Sequence, residues 1–198
     1  SKALIHKGHQ SFVISGGGVL VDELTQCGAK HYEIPVHIKS LRTLSLAKRL
    51  SETISSIDPD IVHVRSRMPA WVNYRAFKML QKKPLLVSTF HGLYSFPIYS
   101  KVMSFVDHSI AISKTVERYI LENYKLDKCD ITVIPRGCDP LEFNNEVINP
   151  VDKANIIEEF PQIVGKKVLT IPGRITKWKG VAEFIDLLSL LDDNYHGL

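Results

Sequence analysis

The stretch Ile171-Pro172-Gly173-Arg174-Ile175-Thr176-Lys177-Trp178-Lys179-Gly180 sets three cations between two glycines, after the apolar run KVLTIP and before the helical-period run VAEFIDLLSLL. A glycine after a strand lets the backbone turn sharply, and Arg174, Lys177 and Lys179 then face the start of a helix near Gly180. A diphosphate fits such a place. The arginine fork takes two phosphate oxygens, lysine acts as a point charge, and the free amides of the helix start add donors. On chemistry alone a second reading stands beside this one: a solvated basic loop, with Trp178 covering a helix end.

His91-Gly92 closes the strand-like run LLVSTF, at the carboxyl edge where open parallel sheets receive ligands. An imidazole there, with a glycine behind it, can approach a sugar closely, or it can hydrogen-bond its own loop. His63, inside the apolar run DIVHV, reads as a satisfied core histidine. Arg65, Arg67 and Trp71 follow that run. The two arginines suit an anionic acceptor such as a phosphorylated or acidic sugar, and they equally suit acids on neighbouring loops. Gly16-Gly17-Gly18 misses the G-x-G-x-x-G fingerprint because Val21 takes the third glycine's place, and a flexible loop is expected. Gly137 and Asp139, in Arg136-Gly137-Cys138-Asp139, read as mainly structural.

The elements that must position these residues alternate. Strands are expected at SFVIS (11–15), HYEIPV (31–36), DIVHV (60–64), LLVSTF (85–90), HSIAIS (108–113), DITVIP (130–135) and KVLTIP (167–172). Segments of helical period lie between them, a pattern that gives a parallel sheet covered by helices. Leu44, Ala47, Leu50, Ile54 and Ile57 make one stripe and predict a helix over about 42–57, stopped by Asp58-Pro59. Ser113 is placed to cap a helix whose Val116, Tyr119, Ile120 and Tyr124 share a side. Val181, Phe184, Ile185, Leu188 and Leu191 make a further stripe, after which a single strand–helix unit ends the chain. Residues 1–8 have the composition of a helix's last turns closed by Gly8, so both ends read as cut. The polar stretch from Asn144-Asn145 through Pro150 and Pro161 to Gly165 breaks the alternation and reads as a hinge.

At 198 residues and 44% hydrophobic content the chain can bury an ordinary core. The formal charge of +4, from 25 basic and 21 acidic residues, is scattered. That favours small anions or weak attraction to a membrane surface, and no nucleic-acid partner. Cys27, Cys129 and Cys138 form no C-x-x-C pair, which points to a reducing compartment. No run approaches the roughly 20 apolar residues of a spanning helix, so the chain reads as soluble.

In this order and spacing, KGHQSFVIS, DIVHVRSRMPAW, STFHGLY, DHSIAIS, VIPRGCDPLEF and IPGRITKWKG resemble the retaining glycosyltransferases of family 4. Their GT-B fold sets two Rossmann-like domains across a cleft. RSRMPAW, the HG pair and PGRITKWKG look most like enzymes of bacterial surface polysaccharide or lipopolysaccharide core synthesis. The resemblance implies an α/β, doubly wound parallel sheet over residues 1–143 lacking its first strand, a linker over 144–165, and the opening of a donor-binding domain over 166–198.

It also implies that Arg174 and Lys179 bind the diphosphate of a nucleotide-sugar and stabilise it as leaving group, within a donor set that includes Gly173 and Gly92. Such preorganised charge supplies roughly 3–4 kcal/mol per well-placed donor. His91 would contact the donor sugar near the reacting carbon. Arg65, Arg67 and Trp71 would lie toward the acceptor, with the Gly17 loop beside its pocket, and Arg136 would face the cleft mouth. The implied full-length enzyme is a hexosyltransferase carrying sugar to a cell-envelope glycan or lipid-linked acceptor. It is cytoplasmic, peripheral at most to the inner face of the membrane, and needs no cofactor. Metal-free transfer is expected on the reading that the sequence holds no aspartate pair with metal-ligand neighbours and no D-x-D triplet, so that arginine, lysine and helix amides replace a metal.

The resemblance leaves the family's paired glutamates outside this sequence, and the chain alone is expected to be inactive. It also leaves out the central first strand, so rearranged pairing, strand exchange with a second chain, or a strand outside this sequence is expected. A non-catalytic nucleotide- or phosphate-binding module is the alternative reading. A nicotinamide oxidoreductase is disfavoured, for no fingerprint loop with a following acid is present.

Overall fold

The computed structural model describes residues 1–94, 97–141, 143 and 149–198, with the backbone alone at 97 and 178. The chain divides into two units, Ser1–Arg136 and Gly137–Leu198.

In the first unit a short helix α1 (Lys2–His6) precedes β1 (Phe12–Ser15), helix α2 (Val21–Gln26) and β2 (Lys30–Glu33). β1 and β2 pair in parallel, Phe12 opposite Lys30. The run read as one strand over 31–36 stops at Glu33, because Pro35 has no N–H for a ladder. Its Ile34 and Val36 are nonetheless buried.

Next come helix α3 (Ala47–Ile57), β3 (Ile61–Val64), helix α4 (Arg67–Phe77), β4 (Leu85–Phe90), the single turn α5 (Pro97–Ser100), β5 (His108–Ala111), helix α6 (Lys114–Asn123) and β6 (Ile131–Val133). β3-β4-β5-β6 form one parallel sheet in that order. Ile61 stands opposite Leu85, Val87 opposite His108 and Ser109 opposite Ile131. Sequential parallel order follows from helical crossovers of one hand. Among the described residues no strand joins β1 to β3, and the β1–β2 pair stands as a separate sheet.

Two apolar clusters hold the unit together. Ala47, Leu50 and Ile54 of α3 meet Met68, Val72 and Ala76 of α4, together with Ile34 and Val36 beyond β2. The second cluster packs Phe90 and Ala111 of the sheet against Val116, Ile120 and Tyr124, with Val102 and Met103 beneath. The expected helix over 42–57 is α-helical only from Ala47; Leu41–Leu46 is a tighter 3-10 turn opened by Ser40, whose Oγ accepts from the Arg42 N–H at 3.2 Å. Thr43 and Ser45 in that segment favour local side-chain bonds over a regular helix, as the Ser45 hydroxyl bond to the Arg42 carbonyl shows. α3 ends at Asp58, in the left-handed region at φ 46, and Pro59 prevents continuation. Ser113 caps α6 as expected, its Oγ accepting from the Val116 N–H at 3.2 Å.

The second unit contains helix α7 (Pro150–Glu159), β7 (Lys167–Leu169), helix α8 (Val181–Ser189) and β8 (Tyr195–Gly197). Asn144-Asn145, part of the expected hinge, lies outside the described residues. Pro150 opens α7, and the Asn149 side chain accepts from the Val151 N–H. The expectation of a single strand–helix unit is corrected, because β8 pairs in parallel with β7, Lys167 opposite Tyr195. Gly197 has no side chain to collide with Leu188 of α8, and that allows the close approach. No residue of α8 is fully buried. Within its predicted stripe Phe184 and Leu188 are half-buried, while Ile185 is 60% exposed.

Candidate functional site

The carboxyl ends of β3, β4 and β6 carry one group of basic side chains. His91 follows Phe90, the last residue of β4, and Arg136 lies beyond β6. Arg136 Nη2 is 3.1 Å from His91 Nδ1. The His91 N–H donates to the Tyr94 hydroxyl at 3.4 Å. A side chain on Gly92 would meet no described atom within 4 Å beyond its chain neighbours. Burial first, then the Arg65 and Arg136 charges, hold the His91 imidazole below its ordinary pKa.

His63 belongs to the same group. The expectation of a core histidine is corrected: β3 is an edge strand of its sheet among the described residues, and His63 as a residue is exposed, with its ring partly sheltered against β4. It is nonetheless satisfied, with Nε2 2.7 Å from the Thr89 hydroxyl on β4. Burial, then Arg65 and His91, lower its pKa as well. The exposed Arg65 thus acts electrostatically on both histidines.

Arg67 and Trp71 face different partners. The Trp71 indole N–H donates to the Tyr99 carbonyl at 2.9 Å. The half-buried Arg67 guanidinium lies 5.1 Å from the Tyr94 ring centre and 5.3 Å from that of Tyr99, with Nη1 3.4 Å from the Ser100 hydroxyl. Cation–π contacts and these bonds fasten the start of α4 to the Tyr94 and Tyr99 side of the unit. The Tyr119 hydroxyl donates to the Tyr94 carbonyl and secures it from α6. Gly17, beyond β1, takes φ 83, a conformation that favours glycine. Beside it the His37 imidazole packs where a side chain on Gly16 would stand.

In the second unit the cation-bearing turn is built as follows. Lys177–Lys179 form a 3-10 turn after Thr176, and Gly180 enters α8 in the left-handed region at φ 73. The chain bends at Gly173, as expected, but without a left-handed φ; the positive φ belongs to Gly180. Gly173 also provides proximity, with the Lys179 stem 3.7 Å from where its side chain would begin. Arg174, Lys177 and Lys179 are exposed. No side chain caps the first turn of α8, which leaves its N-terminal amides for another acceptor. Whether Trp178 covers this helix end concerns a side chain outside the described residues.

Asp58-Pro59-Asp60 is a D-x-D triplet that the expectation of metal-free chemistry overlooks. Asp58 closes α3 and holds Lys82 through both carboxylate oxygens at 2.8 Å. The triplet precedes β3, at the opposite end of that strand from Arg65.

Arg136, Thr89 and Tyr94 went unassigned as site partners in the sequence. Arg136 carried the signal that picked out His91, a polar residue just past a strand of a parallel sheet. For Thr89 and Tyr94 no such signal exists.

The family model for Glycosyltransferase Family 4 matches residues 1–141. An uncharacterized glycosyltransferase of Methanocaldococcus jannaschii is 32% identical over 155 residues, which are 69% of this chain and 38% of that protein. The crystal structure of a glycosyltransferase from Rickettsia africae superposes with TM-score 0.77 and 34% identity, over 98% of this chain and 52% of the other. Anabaena HepE, crystallised in complex with UDP and glucose, gives TM-score 0.77 at 17% identity, over 99% of this chain and 54% of its own. This last likeness concerns fold alone. The chain spans about half the length of these solved relatives and 38% of the curated one.

Proposed function

Because this chain belongs to glycosyltransferase family 4, we propose that the whole protein moves a sugar from a nucleotide-sugar to a cell-envelope glycan or lipid-linked acceptor, with retention at the anomeric carbon. The observation that carries this reading is the turn from Gly173 to Gly180. Arg174 and Lys179 grip the diphosphate there, joined by the uncapped amides of α8.

In the reaction the bond from the anomeric carbon to the diphosphate oxygen breaks, the acceptor oxygen attacks from the same face, and its proton passes to the departing diphosphate. His91 contacts the sugar, with the Gly92 amide beside it. Arg65, Arg67, Trp71 and the Gly17 loop serve the acceptor side, with Arg65 the guanidinium best exposed to an anionic group. A nucleotide-linked donor is the substrate that the diphosphate grip of Arg174 and Lys179 suits. The likeness of RSRMPAW and PGRITKWKG to enzymes of surface polysaccharide synthesis supports an envelope acceptor, and a hexosyl donor completes the proposal. Among the described residues no helix is long and apolar enough to cross a membrane. The proposed whole enzyme works in the cytoplasm and meets a membrane only at its surface.

The test uses a protein of the relatives' full length and follows release of UDP, GDP or ADP from candidate nucleotide-sugars. Arg174→Ala and Lys179→Ala should each lower release by about 10²–10³. Release at the unmutated rate would overturn the assignment. Tight nucleotide binding without transfer from any donor would favour a non-catalytic binding module instead.

A further inference from the structure

His91 and Arg136 meet at 3.1 Å through Nδ1 of the imidazole and Nη2 of the guanidinium. A guanidinium has five N–H donors and no acceptor, and it stays protonated at any pH a protein tolerates. The hydrogen bond can therefore run one way only, from Arg136 to a lone pair on Nδ1. A neutral imidazole with its lone pair on Nδ1 carries its proton on Nε2.

We propose that Arg136 is a positioning residue that holds His91 in the neutral Nε2–H form, so that His91 meets its ligand as a hydrogen-bond donor and not as a base. The role of His91 at the sugar rests on the function proposed above; its protonation pattern does not.

Among the described residues, the groups that act on His91 favour the same state. Arg65 approaches from the end of β3 and Arg136 from beyond β6, and both disfavour an imidazolium. His63, on β3, adds a group of the same sign when protonated. From the residue's own loop, the Tyr94 hydroxyl engages the His91 backbone and leaves the ring free. No carboxylate acts on His91 among these neighbours. The Nε2–H edge suits a sugar hydroxyl or another neutral or anionic oxygen.

The test reads the imidazole nitrogens directly, by long-range proton–nitrogen correlation on the ¹⁵N-labelled chain without ligand. The His91 signals are assigned by their loss in His91→Gln. The unmutated chain should show a protonated Nε2 and an unprotonated Nδ1. Arg136→Lys, whose ammonium also only donates, should keep that pattern. Arg136→Glu can only accept, so it should move the proton to Nδ1 or give an imidazolium, with a titration midpoint above that of the unmutated chain. A protonated Nδ1 in the unmutated chain would overturn the proposal, as would a pattern and midpoint that Arg136→Glu leaves unchanged while the backbone amide spectrum shows the variant folded. Neither outcome depends on sugar transfer, so the protonation state and the proposed function fail separately.

Discussion

The aliphatic stem of Lys179 runs over the backbone of Gly173, with Cδ and Cε both 3.7 Å from the point where a side chain on Gly173 would begin. Gly173 bends the chain without a left-handed φ, so space and not backbone strain decides what a substitution does there. A single methyl group fits at ordinary van der Waals distance, whereas a branched side chain does not. Gly173→Ala should leave pyrophosphate affinity within about twofold, a difference well below 1.4 kcal/mol. Gly173→Leu should weaken it by displacing the lysine. Titration calorimetry with pyrophosphate distinguishes the two, and unchanged affinity in Gly173→Leu would show that the lysine's place over Gly173 has no bearing on binding.

Gly180 makes the opposite case, because its φ of 73 is one that other residues enter at a cost. A side chain there meets only Glu183 Oε2 at 3.8 Å, so space is no obstacle. Gly180→Ala should therefore destabilise the start of α8 by about 1–2 kcal/mol through backbone strain alone. Hydrogen exchange of the α8 amides would register it as faster opening, and unaltered protection would contradict the strain argument.

Phe90 is fully buried one residue before His91. Its ring centre lies 5.5 Å from that of Tyr94 and 5.3 Å from that of Tyr124. Removing the ring leaves a cavity under the strand tip, and Phe90→Ala should cost about 3–5 kcal/mol. Urea unfolding followed by signals from the first unit measures this; a loss below about 1 kcal/mol would mean that the cluster collapses to fill the space.

The two histidines set the direction of the pH response. Both have folded pKa values lowered beneath the ordinary 6.5, so the unfolded chain binds their protons first as pH falls. Stability should be unaffected by these groups well above 6.5. It should fall as pH drops through that value, and level off once the folded imidazoles also titrate. His91→Gln and His63→Gln should each flatten part of the slope. Urea midpoints between about pH 7.5 and 5 test it, and a midpoint rising over that fall in pH would reverse the sign.

The strands of the larger sheet were legible because each is a short β-branched or aromatic run with turn residues on either side, and LLVSTF matches β4 residue for residue. The buried faces of α3 and α6 were legible from period alone. β8 escaped because Tyr195-His196-Gly197 is too short for a pattern and becomes a strand only by pairing with β7. The 3-10 start before α3 escaped because an apolar stripe does not separate 3.0 from 3.6 residues per turn over so few residues.

At the site, sequence alone determined which residue types stand at strand ends and at the root of α8, since periodicity and turn chemistry are local. Tertiary structure decided which of them meet. It brought Arg136 to His91 across 45 residues, turned Arg67 into the aromatic pair of Tyr94 and Tyr99, and left His63 exposed on an edge strand. Strand order and helix packing make those choices. Neither is encoded in the residues that meet; both arise from burying the apolar faces of every element at once.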